Sequence, residues 1–181
     1  MVGRIAISGR AARAAAAAAL ALAAPLIQGS TSKLANLDQR LLAAHNRERD
    51  VTGVAALEWD DGLARDAAAW AGQLQASGEF EHSPDAGEDE EPQGENLWMG
   101  TASAYSPEEM VELWIAEKKH YRPGVFPAVS RTGNLDDVGH YTQLVWAETG
   151  RVGCAVARGR QDDVLVCRYS SAGNVIGERV F

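Results

Sequence analysis

Only two cysteines, Cys154 and Cys167, occur in 181 residues, too few for the disulfide-dense scaffold of a very small secreted domain. Glycine and proline number 18 and 6, far from a collagen-like or low-complexity composition. No segment repeats with a period between about 20 and 50 residues, which excludes solenoids and propellers. The leading apolar run, Ala14 to Ile27, stops well short of the roughly 20 residues that a membrane-spanning helix needs. No Gly-x-Ser-x-Gly turn is present, so the serine elbow of an α/β-hydrolase is excluded. Bases are scarce too. Of the 17 Lys and Arg, four (Arg4, Arg10, Arg13 and Lys33) precede the first acid, Asp38, which leaves 13 bases against 25 acids in the body of the chain. A surface that negative repels phosphate backbones, so no nucleic-acid partner is expected. The remaining composition, 46% hydrophobic and 23% charged, is that of one ordinary globular domain.

The first 29 residues have a basic start, an apolar middle and a small, polar end, the layout of a secretory signal peptide. Ala21-Leu22-Ala23 and the region of Gly29 are both acceptable cleavage sites. An Arg-rich, acid-free transit peptide and an Ala-rich disordered end are the competing readings. Export gives a secreted protein, extracellular or periplasmic, with residues 30 to 181 as its single domain and no integral anchor once the leader is removed.

Along the body, Leu34, Leu37, Leu41 and Ala44 form one helical stripe. A second helix starts near Asp61, buries Leu63, Ala67, Trp70, Ala71 and Leu74, and stops at Gly78. The acidic run from Asp85 to Glu91 reads as a solvated loop. Ser106-Pro107-Glu108-Glu109 is a helix start with a capping box, and this third helix is expected to continue to about Tyr121. Strand patterning follows in His140 to Trp146, Val152 to Ala157 and Val164 to Tyr169. Helices first and strands last give an α+β class, a small sheet covered by helices.

The last two strands are joined by a polar connection centred between Arg160 and Gln161, which places Cys154 directly opposite Cys167. Opposed residues in an antiparallel pair lie about 4.5 to 5.5 Å apart at Cα, within reach of a disulfide. A Cys154 to Cys167 bridge is therefore expected.

On a helical wheel of the third helix, Glu117 shares a narrow arc with Met110, Trp114 and Tyr121, flanked by Val111 and Leu113, while Glu112 and Lys119 fall opposite. A carboxylate among such neighbours must be partnered or face a cavity, because an unpaired buried charge is costly. Strand alternation puts His140 on a face with Thr142, Leu144 and Trp146. His82, which follows the second helix, and Glu95, in Gly94-Glu95-Asn96, also sit beside apolar residues. Taken singly, such residues are more often satisfied core histidines or structural ion pairs than members of a site.

Taken together, Gly139-His140-Tyr141-Thr142-Gln143-Leu144-Val145-Trp146, Val152-Gly153-Cys154, Gly94-Glu95-Asn96-Leu97, Cys167-Arg168-Tyr169 and Gly173-Asn174-Val175-Ile176-Gly177 closely resemble the CAP superfamily. This superfamily groups cysteine-rich secretory proteins, antigen 5 and plant pathogenesis-related class 1 proteins. The resemblance covers about residues 34 to 181. It implies a three-layer α-β-α sandwich with a central antiparallel sheet, and a cleft lined by His82, Glu95, Glu117 and His140. Two departures stand out: only one disulfide is available, and Tyr169-Ser170-Ser171-Ala172-Gly173-Asn174 lacks the proline usual in that segment.

Two imidazoles and two carboxylates without a thiolate suit a weakly and reversibly bound divalent ion such as zinc rather than a structural one. The resemblance implies a secreted binding module for a lipid, a sterol-like molecule or another extracellular ligand, with the tetrad as a metal-dependent adjunct. Two other readings remain: a metal-dependent hydrolase that uses His82, Glu95, Glu117 and His140 catalytically, and a tetrad that only stabilises the fold. Binding is favoured over catalysis.

Overall fold

The computed structural model describes residues 34–84, 87 and 91–181. The leader, residues 30–33 and most of the acidic run (Asp85, Ala86 and residues 88–90) lie outside the described residues. Helix α1, Leu37–Thr52, is followed by the two-residue strand β1, Glu58–Trp59, and helix α2, Asp61–Ser77. The Asp60 carboxylate accepts the backbone N–H groups of Gly62 and Leu63 at the start of α2, and Gly78 caps its end, as the sequence suggests. Strand β2, Gly94–Thr101, leads to α3, Pro107–Ile115, whose capping box from Ser106 to Glu109 is complete. A 3₁₀ turn, Ala116–His120, a second one, Leu135–Asp137, and the short helix α4, Gly139–Leu144, precede the hairpin of β3, Arg151–Arg158, and β4, Asp162–Ser170.

The sheet order is β1-β3-β4-β2. All pairings are antiparallel except the short β1, which lies parallel to β3. Cys154 faces Cys167 in the hairpin register and is bonded to it, with the Cα atoms 4.1 Å apart. One face of the sheet packs against α2 through Leu97, Val164 and Val166 on Ala67, Trp70, Ala71 and Leu74. The other contributes Trp98, Leu165, Cys167 and Tyr169 to a larger core with Leu41, Met110, Trp114, Tyr141 and Trp146. This is the α-β-α sandwich.

The segment His140 to Trp146 forms no strand: its first residues are in α4. From Tyr141 to Trp146 every side chain is buried. A segment enclosed on all sides offers no polar face, and a helix and a strand then share one hydropathy pattern. The third helix also ends sooner than expected, tightening into the 3₁₀ turn after Ile115. Two residues at the tighter pitch rotate the wheel only slightly, so Glu117 keeps its inward side. Leu113, by contrast, is 50% exposed.

Three polar residues of α1 are buried along with its apolar stripe: His45, Glu48 and Arg49. The Arg49 guanidinium reaches back across the end of α4. Its Nε donates to the Ala55 carbonyl (2.6 Å), one terminal nitrogen to the carbonyls of Leu144 and Trp146 (3.0 and 2.9 Å), and the other to Thr149 (2.8 Å). Burial lowers its pKa to about 10, so it stays cationic at neutral pH and closes carbonyls that a helix end otherwise leaves open. Glu48 accepts from the Lys118 ammonium (2.8 Å) and the Tyr141 hydroxyl (3.2 Å), joining α1 to the 3₁₀ turn and α4.

Two substitutions test this framework. Arg49→Lys keeps the charge but cannot reach four carbonyls in a fork, and should cost about 3 kcal/mol of stability in urea unfolding. A Cβ on Gly153 would run into the backbone of Asp60 and Ala64 at the start of α2. Gly153→Ala should therefore cost about 1 to 3 kcal/mol, read as a lower melting temperature.

Candidate functional site

The four residues selected from the sequence come together as two His–Glu pairs. In the first, His82 Nδ1 lies 2.6 Å from Glu95 Oε1, which also accepts the Ser83 backbone N–H at 3.0 Å. Glu95 Oε2 faces the Arg168 guanidinium at 3.1 Å. In the second, His140 Nδ1 lies 2.6 Å from Glu117 Oε1, and Glu117 Oε2 accepts the Tyr141 backbone N–H at 3.0 Å.

Local structure explains each placement. The pleat of β2 sends Glu95 to the same side as Leu97, the α2 side, and sends Asn96 with Trp98 to the other. Arg168 is the register partner of Glu95 on β4. His82 stands on the chain leaving α2, where the Trp70 indole N–H donates to the Glu81 carbonyl at 3.2 Å. Glu117 sits on the 3₁₀ turn after α3, so that its carboxylate meets the first turn of α4 and takes both the His140 ring and a free helical N–H. The Trp114 ring stacks on the His140 ring, with centroids 6.0 Å apart.

His82 and Glu95 line an open cleft of about 1290 Å³ together with Trp70, Ser83, Gln93, Gln143, Arg168 and Asn174. Gln143 lies so close under β2 that a Cβ on Gly94 would overlap its side chain, and its Oε1 accepts the Gly173 N–H at 2.8 Å. This accounts for the glycine of Gly94-Glu95-Asn96. His140 and Glu117 are not among the lining residues. Asn174, which is, accepts from the Thr142 hydroxyl (2.6 Å) and donates to the Gly139 carbonyl (3.0 Å), joining the cleft wall to α4. Among the described residues, no group of three or more His, Cys, Asp or Glu side chains is close enough to form a ready metal cage.

The charges on the first pair are mutually reinforcing. The hydrogen bond to Glu95 raises the His82 pKa above its ordinary 6.5, against the effects of burial and of the Arg168 charge. Burial would raise Glu95, but the His82 hydrogen bond, the Arg168 charge and the Ser83 N–H together hold it below the usual carboxylate range. Arg168, Asn96, Gln143 and Asn174 were not singled out from the sequence. The only available signal was a polar side chain at a fixed position within an apolar strand, as with Arg168 between Cys167 and Tyr169.

The family model for CAP, the cysteine-rich secretory protein family, matches residues 42–169. The chain belongs to this family. The CAP domain is 37% identical to pathogenesis-related protein 1B of Nicotiana tabacum over 155 residues, 84% of this chain and 86% of that one. It is 35% identical to GLIPR1-like protein 1 of Homo sapiens over 149 residues, 74% and 57% of the two chains. Among solved structures, NaASP2 with Zn2+ superposes with a TM-score of 0.66 at 24% identity, covering 84% of this chain and 85% of that one. BmVAL-1 gives 0.65 at 24% identity, covering 80% and 81%. Among the described residues of the CAP domain, no helix is long and apolar enough to cross a membrane.

The first pair predicts a pH signature. Folding favours protonated His82, whose stabilisation is complete below its ordinary 6.5 and fades as pH rises through the raised folded value. Folding also favours ionised Glu95, whose share is present above its ordinary 4.5 and is lost on acidification. Both act together between those limits. His82→Gln should therefore lower the urea midpoint more at about pH 5.5 than at about pH 8.5. Equal losses at the two pH values would remove the charge coupling.

Proposed function

We propose that this CAP domain is an exported binding module whose cleft holds a divalent ion weakly and whose surface takes a lipid or sterol-like ligand. One observation carries the preference for binding over catalysis: each carboxylate of the two pairs is already committed to an imidazole and to at least one further group. Glu95 is held by His82, Ser83 and Arg168, and Glu117 by His140 and the Tyr141 N–H. Neither is left as a free base for activating water. Each instead orients an imidazole through Nδ1, which leaves Nε2 as the donor, the common arrangement behind a metal-ligating histidine.

The donor chemistry fits a labile divalent ion such as zinc. His82 and His140 would hold it through Nε2, Glu95 and Glu117 would orient the rings from behind, and water would complete the shell. When bound, the ion would offer a Lewis-acidic site for an oxygen of the ligand. NaASP2 is described with Zn2+, consistent with this choice. Both cysteines are in the disulfide, so no thiolate tightens the site.

A lipid-facing surface is supported by exposed apolar residues near the C-terminal end of the domain. Ile176 is 79% exposed, and Val125, Val175 and Phe181 are exposed as well. The segments of Val125 and of Val175 and Ile176 are joined where the Phe126 N–H donates to the Glu178 carbonyl and the Gly177 N–H to the Phe126 carbonyl. Exposed apolar groups gathered in this way mark interaction surfaces. Export is supported by the leader layout of residues 1–29.

A second reading keeps one observation in its favour: an imidazole oriented by a carboxylate is also the base half of a hydrolytic dyad. The two readings separate in one set of variants. In the binding reading, calorimetry with zinc shows weak, saturable binding that Glu117→Gln lowers about tenfold, and Ile176→Asp reduces sterol extraction from vesicles. No heat with zinc and no sterol bound by the wild type would overturn it. Turnover of an ester or peptide substrate, abolished by Glu117→Gln and His140→Ala, would put the hydrolase in its place.

A further inference from the structure

His45 lies in the middle of α1, fully buried, and neither the metal nor the ligand reading uses it. Its hydrogen bonds have only one self-consistent direction. The ring Nδ1 is 2.7 Å from the Leu41 carbonyl, which can only accept, so Nδ1 carries the proton. Burial holds the ring neutral, with its pKa lowered to about 4, so Nε2 is a bare acceptor. The Tyr169 hydroxyl, 2.8 Å away, must therefore donate to it. With its hydrogen committed, the Tyr169 oxygen is left to accept, and it does so from the Asn96 side-chain amide at 3.2 Å. The same amide nitrogen donates its other hydrogen to the His140 carbonyl at 3.0 Å, and this fixes which way round the Asn96 amide sits. Tyr169 and Asn96 are as buried as His45, so water does not compete for these groups.

A second route joins the same two histidines. The His45 ring meets the Trp114 ring edge-on, with centroids 6.2 Å apart, and Trp114 in turn stacks on the His140 ring. Polar and aromatic contacts thus close a loop through α1, β4, β2, α4 and α3. His82 takes no part in it.

We propose that His45 is a positioning residue for His140: through Tyr169 and Asn96 it fixes the His140 backbone, and through Trp114 it fixes the plane of the His140 ring, so that Nε2 is presented to a ligand in one orientation. This rests on the reading of His140 as a ligating histidine and adds what determines its pose. A bare structural role would make the chain matter for stability alone. A positioning role makes it matter for one of the two site histidines and not for the other.

The test uses Tyr169→Phe, which removes a single oxygen and interrupts the chain at its middle, with Val166→Ala as a control for general destabilisation in the α2-side cluster. In nitrogen-15 NMR of the wild type, His45 should show the Nδ1–H tautomer. In Tyr169→Phe, the Asn96 side-chain amide and the His140 ring resonances should move while those of His82 stay in place. Zinc affinity by calorimetry should fall roughly three- to tenfold in Tyr169→Phe and hold in Val166→Ala, although both variants melt earlier. An Nε2–H tautomer at His45 would overturn the proposal. So would a Tyr169→Phe protein that melts earlier with unchanged His140 resonances. If the wild type binds no zinc, the metal reading fails on its own, and the resonances still decide whether His45 sets the pose of His140.

Discussion

The pleat of β2 is the constraint from which the rest of the site follows. Adjacent residues of a strand point to opposite faces, so the consecutive Glu95 and Asn96 serve different halves of the molecule. Glu95 meets His82 and Arg168 on the α2 side, and Asn96 meets Tyr169 and the His140 carbonyl on the other. A shift of one residue in the pairing of β2 with β4 would exchange these roles and put a carboxylate where the larger core requires an amide. The apolar side chains that follow enforce the register: Leu97 packs into one core and Trp98 into the other.

The buried polar residues of α1 are tolerated at the centre of the fold because each has partners there. Arg49 gives its donors to four carbonyls around the end of α4, Glu48 is shared by Lys118 and Tyr141, and His45 heads a directed chain. Unpaired, any one of them would cost several kcal/mol, on the order of a small domain's entire margin of stability. Paired, they do something that apolar contacts do less well, which is to define one arrangement of α1 against α4 and the sheet. That arrangement sets where the first turn of α4 lies, and Glu117 then reaches both the His140 ring and the Tyr141 N–H. A short helix with no side-chain cap of its own is held by groups from three other elements.

Where an element has one wet face and one dry face, its sequence was readable. Helix α2, with Asp60 before it, Gly78 after it and a clean apolar stripe, is of this kind, as is the Ser106 capping box. The hairpin register that pairs Cys154 with Cys167 follows from counting about its turn. The inward direction of Glu117 was legible too, because the change from α to 3₁₀ pitch came only two residues earlier. The segment after Gly139 misled for the opposite reason: its burial is complete, so Tyr, Thr, Leu, Val and Trp read as a strand although the chain is helical there. Strand β2 escaped notice because Gly94, Glu95 and Asn96 look like loop residues until Gln143, Arg168 and Tyr169 are set against them.

The sequence by itself determined the class of fold, the disulfide, the family resemblance and the four residues of the two His–Glu pairs, because these rest on local patterns and on motifs read in order along the chain. Tertiary structure alone decided that the four form two His–Glu pairs, that each carboxylate is already engaged by its histidine and by a second group, and that His45 lies behind His140. Those outcomes depend on which groups meet across 13 to 124 positions of sequence, from His82 with Glu95 to His45 with Tyr169. Only packing fixes such meetings, since a buried polar group must find its partner wherever the fold brings one within reach.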